Sequence, residues 1–330
     1  MAVTMAEITK LRNLTSAGLM DCKKALAETN GDIDAAVEIL RQKGKAIAAK
    51  REDRQASEGC VLAKNDGNFA AVVALCCETD FVAKNAGFVE LTQQLLDFAV
   101  ANRIKTLDEL KDATINGQKV TDLITDESGK TGEKVELSRY ECIEAPATTF
   151  YVHFGNKLAT IVGFNQENVD YQVGREVAMQ VASMNPLAVA RENVSEDVIN
   201  SEYNVAVEKT KEEQVRKAVE AALKKAGLNP NHFDSEDHIE SNMAKGWITA
   251  EDAAKGRQIM AETAAAKAAN LPEQMINNIA QGRLNKFFKE NCLMEQQFIS
   301  DGELSVGQYL EKSSKGLVAV DFKRVNLNQD

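Results

Sequence analysis

The chain is short of proline, aromatic rings and histidine. Its 330 residues hold four prolines, one tryptophan and three histidines, and aromatics make up 5%. Such scarcity argues against a sandwich of many short strands and favours long helices. Six cysteines stand at 22, 60, 76, 77, 142 and 292 without a CxxC pair, which does not fit the dense disulfide framework of a small secreted domain. The longest apolar run, Phe69–Cys77, falls well below the ~20 residues that span a bilayer. No basic segment followed by an apolar stretch opens the chain, so no signal peptide is read. These absences predict a reduced, cytoplasmic protein with no membrane partner. Positive charge is also in deficit, with Lys+Arg 39 against Asp+Glu 50 and a net charge of −11. Phosphate contacts need a concentrated positive surface, so direct nucleic-acid binding is disfavoured outside a local patch. What remains is 44% hydrophobic and 27% charged, enough for a packed core, in a length that suggests two or three domains.

Helical spacing opens the chain. Ile8, Leu11 and Leu14 form one helix, which Ser16-Ala17-Gly18 breaks, and Leu19, Met20, Cys22, Ala25 and Leu26 form a second. Asn30-Gly31-Asp32 supplies a left-handed stop and an N-cap for a third helix over 33–43. The basic stretch 45–54 reads as a helical or flexible linker. From Gly59 the period changes. Residues 60–63 and Phe69–Cys77 flank an Asp-Gly turn and predict a β-hairpin, and Phe88, Leu91, Leu95, Phe98 and Ala99 mark the helix that follows it. The same order returns at 150–154, Gly155-Asn156 and 157–164, with Val177, Val181 and Met184 on the next helix. Two related α+β halves are therefore expected. Between about 191 and 282 the strand signal vanishes. Ser195 caps a helix to Lys225, Thr249-Ala-Glu-Asp252 forms a capping box ahead of an alanine-rich helix, and Pro272 suits the first turn of another. A last strand is expected over 316–325.

Several enzyme-like signals fail on spacing. Gly129-Lys130-Thr131 resembles the end of a phosphate-binding loop, but the required first glycine falls at Ile124, so a polar loop is expected. His232 and His238 lie in a polar stretch without metal spacing. Cys76 and Cys77 with His153 pair a nucleophile type with a base type, yet strand alternation turns at least one of these thiols inward. One segment stands out: Glu78-Thr79-Asp80-Phe81-Val82-Ala83-Lys84-Asn85, between the first hairpin and its helix. Either Thr79 or Asp80 caps a helix and Phe81 staples it to the core, or Phe81 projects with Asp80 toward a partner. Periodicity leaves both readings open.

The string Thr79-Asp80-Phe81-Val82-Ala83-Lys84 resembles a signature of the bacterial elongation factor Ts family. Leu11-Arg12, Thr15, Gly18 and Met20-Asp21-Cys22-Lys23-Lys24-Ala25-Leu26 are similar to its other signature. Tyr151-x-His153-x-Gly155 before Thr160-Ile161-Val162, and Ser305-Val306-Gly307-Gln308-Tyr309-Leu310, resemble later family segments. The resemblance implies an α+β fold. A ubiquitin-associated-like (UBA-like) three-helix domain with its linker would occupy 1–54. A two-part core of hairpin-plus-helix halves would occupy 55–145 and 146–190 with 283–330, and a helical, coiled-coil-like hairpin would be inserted at 191–282. It further implies a guanine-nucleotide exchange factor for elongation factor Tu, with no cofactor, no metal and no covalent chemistry.

On that resemblance, Thr79, Asp80, Phe81 and Val82 meet the nucleotide domain of the GTPase and dislodge its magnesium ion, Phe81 being the wedge. Arg12, Leu19, Met20 and Lys23 dock the N-terminal bundle, and Gly132 and His153 match further contacts. Four departures are expected to matter. Ser16 loosens a turn and Ala74 removes a polar contact. The insertion is enlarged around 211–267, where self-association as a homodimer or a replacement contact is expected. No terminal helix follows the last strand. The rival reading is a binding adaptor of the same architecture without exchange activity.

Overall fold

Helix α1 (Met5–Thr15) buries Ile8 and Leu11, while α2 (Leu19–Glu28) buries Cys22, Ala25 and Leu26. Leu14, Leu19 and Met20 share the helical spacing but face solvent. Asn30 and Gly31 take positive φ values of 53° and 90°, and the Gly31 amide donates to Leu26 O at 2.8 Å, closing the helix end. Asp32 Oδ1 then accepts from the Ala35 amide at 3.1 Å and starts α3 (Ile33–Lys50). The computed structural model describes residues 3–15 and 17–328, so the departure at Ser16 lies outside the described residues.

Most of the expected 45–54 linker is helix, because α3 continues to Lys50. Gly44 costs about 1 kcal/mol of helix propensity relative to alanine, but it lets α3 press against the later helix that spans Val120–Thr131. A compact unit comprising Met1–Val189 and Gln296–Asp330 contains this bundle and the core. In the core, β1 (Glu58–Asp66) and β2 (Phe69–Cys77) pair antiparallel across Gly67-Asn68. A single turn, α4 (Asp80–Ala83), leads into α5 (Ala86–Ala101). Next come α6 (Leu107–Asp112), the short pair β3 (Thr114–Ile115) and β4 (Gln118–Lys119), and α7 (Val120–Thr131). Strand β5 (Glu136–Glu144) returns to the free edge of β2. Leu137 and Tyr140 face the core beneath α5, three residues apart because a bulge interrupts the pairing with β2, and Ile143 lies on the opposite face. This strand is absent from the sequence-based expectation.

The second half repeats the plan. Strands β6 (Ala147–Val152) and β7 (Leu158–Phe164) form a hairpin, and α8 (Tyr171–Met184) follows. The chain then enters a second compact unit, Ala190–Glu295. There the long α9 (Glu196–Lys225) packs along α11 (Ala250–Ala269) and α12 (Glu273–Asn291), with α10 (Glu236–Ala244) at a turn. Thr249 and Asp252 form the expected capping box. Gly256 lies against the Phe233 ring, leaving no room for a Cβ. Back in the first unit come β8 (Gln297–Phe298), β9 (Asp301–Ser305), α13 (Val306–Ser313) and β10 (Ala319–Asn326). The Ser305-to-Leu310 motif is a capping box: Gln308 N donates to Ser305 Oγ at 3.1 Å, and Ser305 N to Gln308 Oε1 at 2.8 Å. Strand β10 completes the second sheet beside β7.

The two sheets, ordered β1-β2-β5 and β10-β7-β6, pack face to face. Small side chains (Val61, Ala63, Ala70, Val72, Ala74) meet Ala159, Ile161 and Val325 between them. Phe88, Leu91, Leu95 and Leu96 of α5 cover the outer face of the first sheet, while α8 packs on the second. Strand β2 is thus buried on both faces, which accounts for its unbroken apolar run. Both Cys76 and Cys77 are buried in consequence. Ala74 lies in the apolar layer, where an acidic side chain would be desolvated, so the polar contact expected to be lost there has no place to form.

Gly129-Lys130-Thr131 is the last turn of α7 rather than a polar loop. Its glycine serves packing: a Cβ on Gly129 would meet Gly44 Cα at 2.6 Å. Gly129→Ala should therefore separate α3 from α7 despite the better helix propensity of alanine. Amide exchange should speed up in the second half of α3 while β2 stays protected, and unchanged or slower exchange in α3 would contradict this packing.

Candidate functional site

The junction between β2 and α5 carries the segment singled out in the sequence. Thr79 is the N-cap of α4, with extended backbone at φ −126° and ψ 153°, and its hydroxyl accepts from Val82 N at 3.4 Å. The same hydroxyl donates to Glu133 Oε1 at 2.6 Å. Glu133 Oε2 accepts from the amides of Glu78 and Thr79 at 3.1 and 3.0 Å. Glu133 directly follows Gly132, the left-handed cap of α7 at φ 71°, so Gly132 turns the chain to bring this carboxylate under the junction.

Glu78 is braced from the other side. Its carboxylate accepts from Lys134 N at 2.7 Å, Arg51 Nη1 at 2.6 Å and Arg54 Nη1 at 3.1 Å. The Lys134 amide, with help from the two guanidinium groups, holds the Glu78 carboxyl down to about 2. Segment 51–54, just beyond α3, is thereby tied to the foot of α4. Lys134 Nζ adds a bond to Glu52 O at 2.8 Å.

With the backbone held, the side chains of α4 divide. Ala83 is buried and Val82 is half-buried against the core of the first sheet. Phe81 points outward and is 84% exposed. The cap exists, but the hydrophobic staple does not: Thr79 caps the turn and Phe81 leaves the core free. Asp80 pairs with Lys84 at 2.6 Å, and this hydrogen bond holds its carboxyl below the ordinary range.

His153 lies in the β6–β7 turn, exposed, with Nδ1 2.9 Å from Tyr151 Oη. The turn approaches the junction through Lys157, whose ammonium is 2.7 Å from Glu58 on β1. Arg12, Leu19, Met20 and Lys23 form a second exposed group at the α1–α2 corner, with Met20 58% exposed. The structure thus gathers 79–82, Gly132 and the His153 turn in the core and leaves the four N-terminal residues as a separate surface. Glu78 and Glu133, which orient the junction, escape sequence reasoning because their partners lie far along the chain.

Thiol chemistry has little support. Burial pushes Cys77 up to about 12 and Cys60 up to about 11, opposite to the shift a thiolate nucleophile requires. His238 pairs with Asp234 at 3.5 Å on the surface. Among the described residues, no group of three or more His, Cys, Asp or Glu side chains is placed to hold a metal ion, and no helix is long and apolar enough to cross a membrane.

Because Glu78 titrates below its ordinary value of 4.5 in the folded chain, its charge stabilises the fold fully above that pH and less as pH falls toward 2. Glu78→Gln should lower the melting temperature at pH 7, and the gap to the wild type should narrow progressively below pH 4.5. A gap independent of pH would contradict the charged clamp.

Comparison with known proteins gives the same picture as the motifs. A family model described as "Elongation factor TS" matches residues 78–229 and 218–329. Proteins named elongation factor Ts from Phocaeicola vulgatus, Bacteroides thetaiotaomicron and Porphyromonas gingivalis are 59%, 58% and 42% identical, with 100% of each chain covered. The chain belongs to the elongation factor Ts family.

Proposed function

We propose that this chain binds GDP-bound elongation factor Tu and promotes GDP release by dislodging the bound magnesium ion, which allows GTP to load during protein synthesis. The observation that carries the reading is Phe81, 84% exposed on a turn whose backbone is held from two sides. An aromatic ring on a fixed support reaches a partner with little ordering cost at the moment of binding. Asp80 accompanies it as a carboxylate kept ionised by Lys84. Val82 and Thr79 keep the turn seated. Arg12, Leu19, Met20 and Lys23 dock the N-terminal bundle on the same GTPase, and Gly132 and His153 contribute from the core.

Exchange of this kind forms no covalent bond, so it needs neither nucleophile nor base. By linkage, the factor weakens nucleotide affinity by the same ratio by which nucleotide weakens affinity for the factor. An acceleration of ~10⁴ requires ~5.5 kcal/mol of differential stabilisation at the release barrier. Burying one phenylalanine supplies ~1.5–3 kcal/mol. Phe81 therefore acts together with the N-terminal surface and the rest of the core on a bistable region of the partner. In the second compact unit, a groove lined by Val207, Val215, Leu271 and Ile276 is the surface on which self-association would rest.

The adaptor reading differs in one respect, since it requires complex formation without faster release. Release of labelled GDP from elongation factor Tu separates the two. Phe81→Ala should slow stimulated release by about tenfold or more, with a nearly unchanged melting temperature because the 84% exposed residue buries little in its own chain. Release at the wild-type rate would remove the wedge from the mechanism, and binding by the wild type without acceleration would favour the adaptor.

A further inference from the structure

A second exposed phenylalanine belongs to the β6–β7 turn, which an ion pair links to the junction that carries Phe81. Phe154 is 98% exposed, at the tip of the β6–β7 turn. The sequence pattern places it at the end of a strand, but β6 stops at Val152 and Phe154 belongs to the turn. The two residues after it, Gly155 and Asn156, take the left-handed conformations at φ 87° and 54°, so the turn closes without strain at Phe154 itself.

The tip is held firmly. His153 N donates to Leu158 O at 2.8 Å and Asn156 N to His153 O at 3.1 Å. Val61 N, on the facing sheet, donates to Asn156 O at 2.7 Å, and Leu327 N donates to Lys157 O at 2.9 Å. A benzyl group presented this way gains nothing from its own fold, since burial is the source of hydrophobic stabilisation.

An isolated exposed ring is ordinary. This one has a charged bridge to the junction. Lys157, three residues on, pairs with Glu58, which lies opposite Cys77 in the β1–β2 ladder, immediately ahead of residues 78–81. The Asp80–Lys84 pair flanks the same junction. Two rigidly supported rings edged by ion pairs have the make-up of an interface centre with a polar rim.

We propose that Phe154 is a second aromatic contact of this surface, entering an apolar pocket on the same GTPase nucleotide domain that Phe81 engages. This rests on the exchange-factor reading and deepens it. Phe81 acts on the nucleotide site, whereas Phe154 sets how tightly the core docks beside it. His153 leans toward Tyr151, with Nδ1 2.9 Å from its hydroxyl, whereas Phe154 beside it is 98% exposed.

The test uses the full-length chain and elongation factor Tu loaded with labelled GDP, with release measured over a range of factor concentrations and affinity measured by calorimetry. Phe154→Ala should raise the half-saturating concentration and the dissociation constant about tenfold. The maximal rate should stay within about twofold and the melting temperature should not move. Phe154→Leu should recover part of the loss. If the wild type accelerates release and Phe154→Ala matches it in half-saturation and affinity, Phe154 is no contact. If the wild type binds without accelerating release, the exchange reading fails. Phe154 is then judged by affinity alone, where a tenfold loss sustains the contact and equal values overturn it.

Discussion

Glu133 accepts three hydrogen bonds from Glu78 and Thr79, the two residues that follow β2, and the direction of Phe81 follows from them. Hydrogen bonds to a charged group contribute ~1.5–3 kcal/mol each, more than neutral ones. The Thr79 hydroxyl, fixed by this carboxylate, is in turn the acceptor that starts α4. Once that single turn is set, its geometry leaves only two ways to face: Val82 and Ala83 go to the core and Phe81 to solvent. Glu78 adds the connection to residues 51 and 54. The presentation of the ring and the path of the chain from α3 into the core therefore depend on adjacent groups.

The paired sheets give this junction a stiff base. With β2 covered on one side by α5 and on the other by the second sheet, its C-terminal end has no room to shift independently. The small residues between the sheets bring them close enough for a backbone hydrogen bond from Val61 on one to Asn156 at the turn of the other. That bond carries the β6–β7 turn to the same end as the β2–α5 junction. A surface assembled from both halves follows from the packing of the two sheets.

What was legible in the sequence was local. The left-handed stop at Asn30-Gly31, the turns at Gly67 and Gly155, and the caps at Thr249 and Ser195 leave short-range patterns that identify three helices, two hairpins and a helical insertion. Strand β5 escaped because its buried residues Leu137, Tyr140 and Ile143 fall three apart, across a bulge and a change of face, without the period of two that marks a strand, and because its partner β2 is remote in sequence. The helix expected over 33–43 stops short of Gly44 and a polar loop is expected at Gly129, although each lies within a helix where two backbones approach. At the junction, residue types indicate a cap and an aromatic, but a stapled ring and a projecting ring share the same spacing. Only the long-range bonds from Glu133 and Lys134 distinguish them.

The central claim is that a ring held outward by this brace enters the nucleotide domain of elongation factor Tu. Photo-crosslinking tests it most directly, with benzoylphenylalanine in place of Phe81 in the full chain and the partner's adducts mapped by mass spectrometry. The account predicts adducts in the nucleotide domain, depleted by excess GDP and magnesium and by Glu133→Ala. Adducts confined to this chain, or to other domains of the partner, would contradict it.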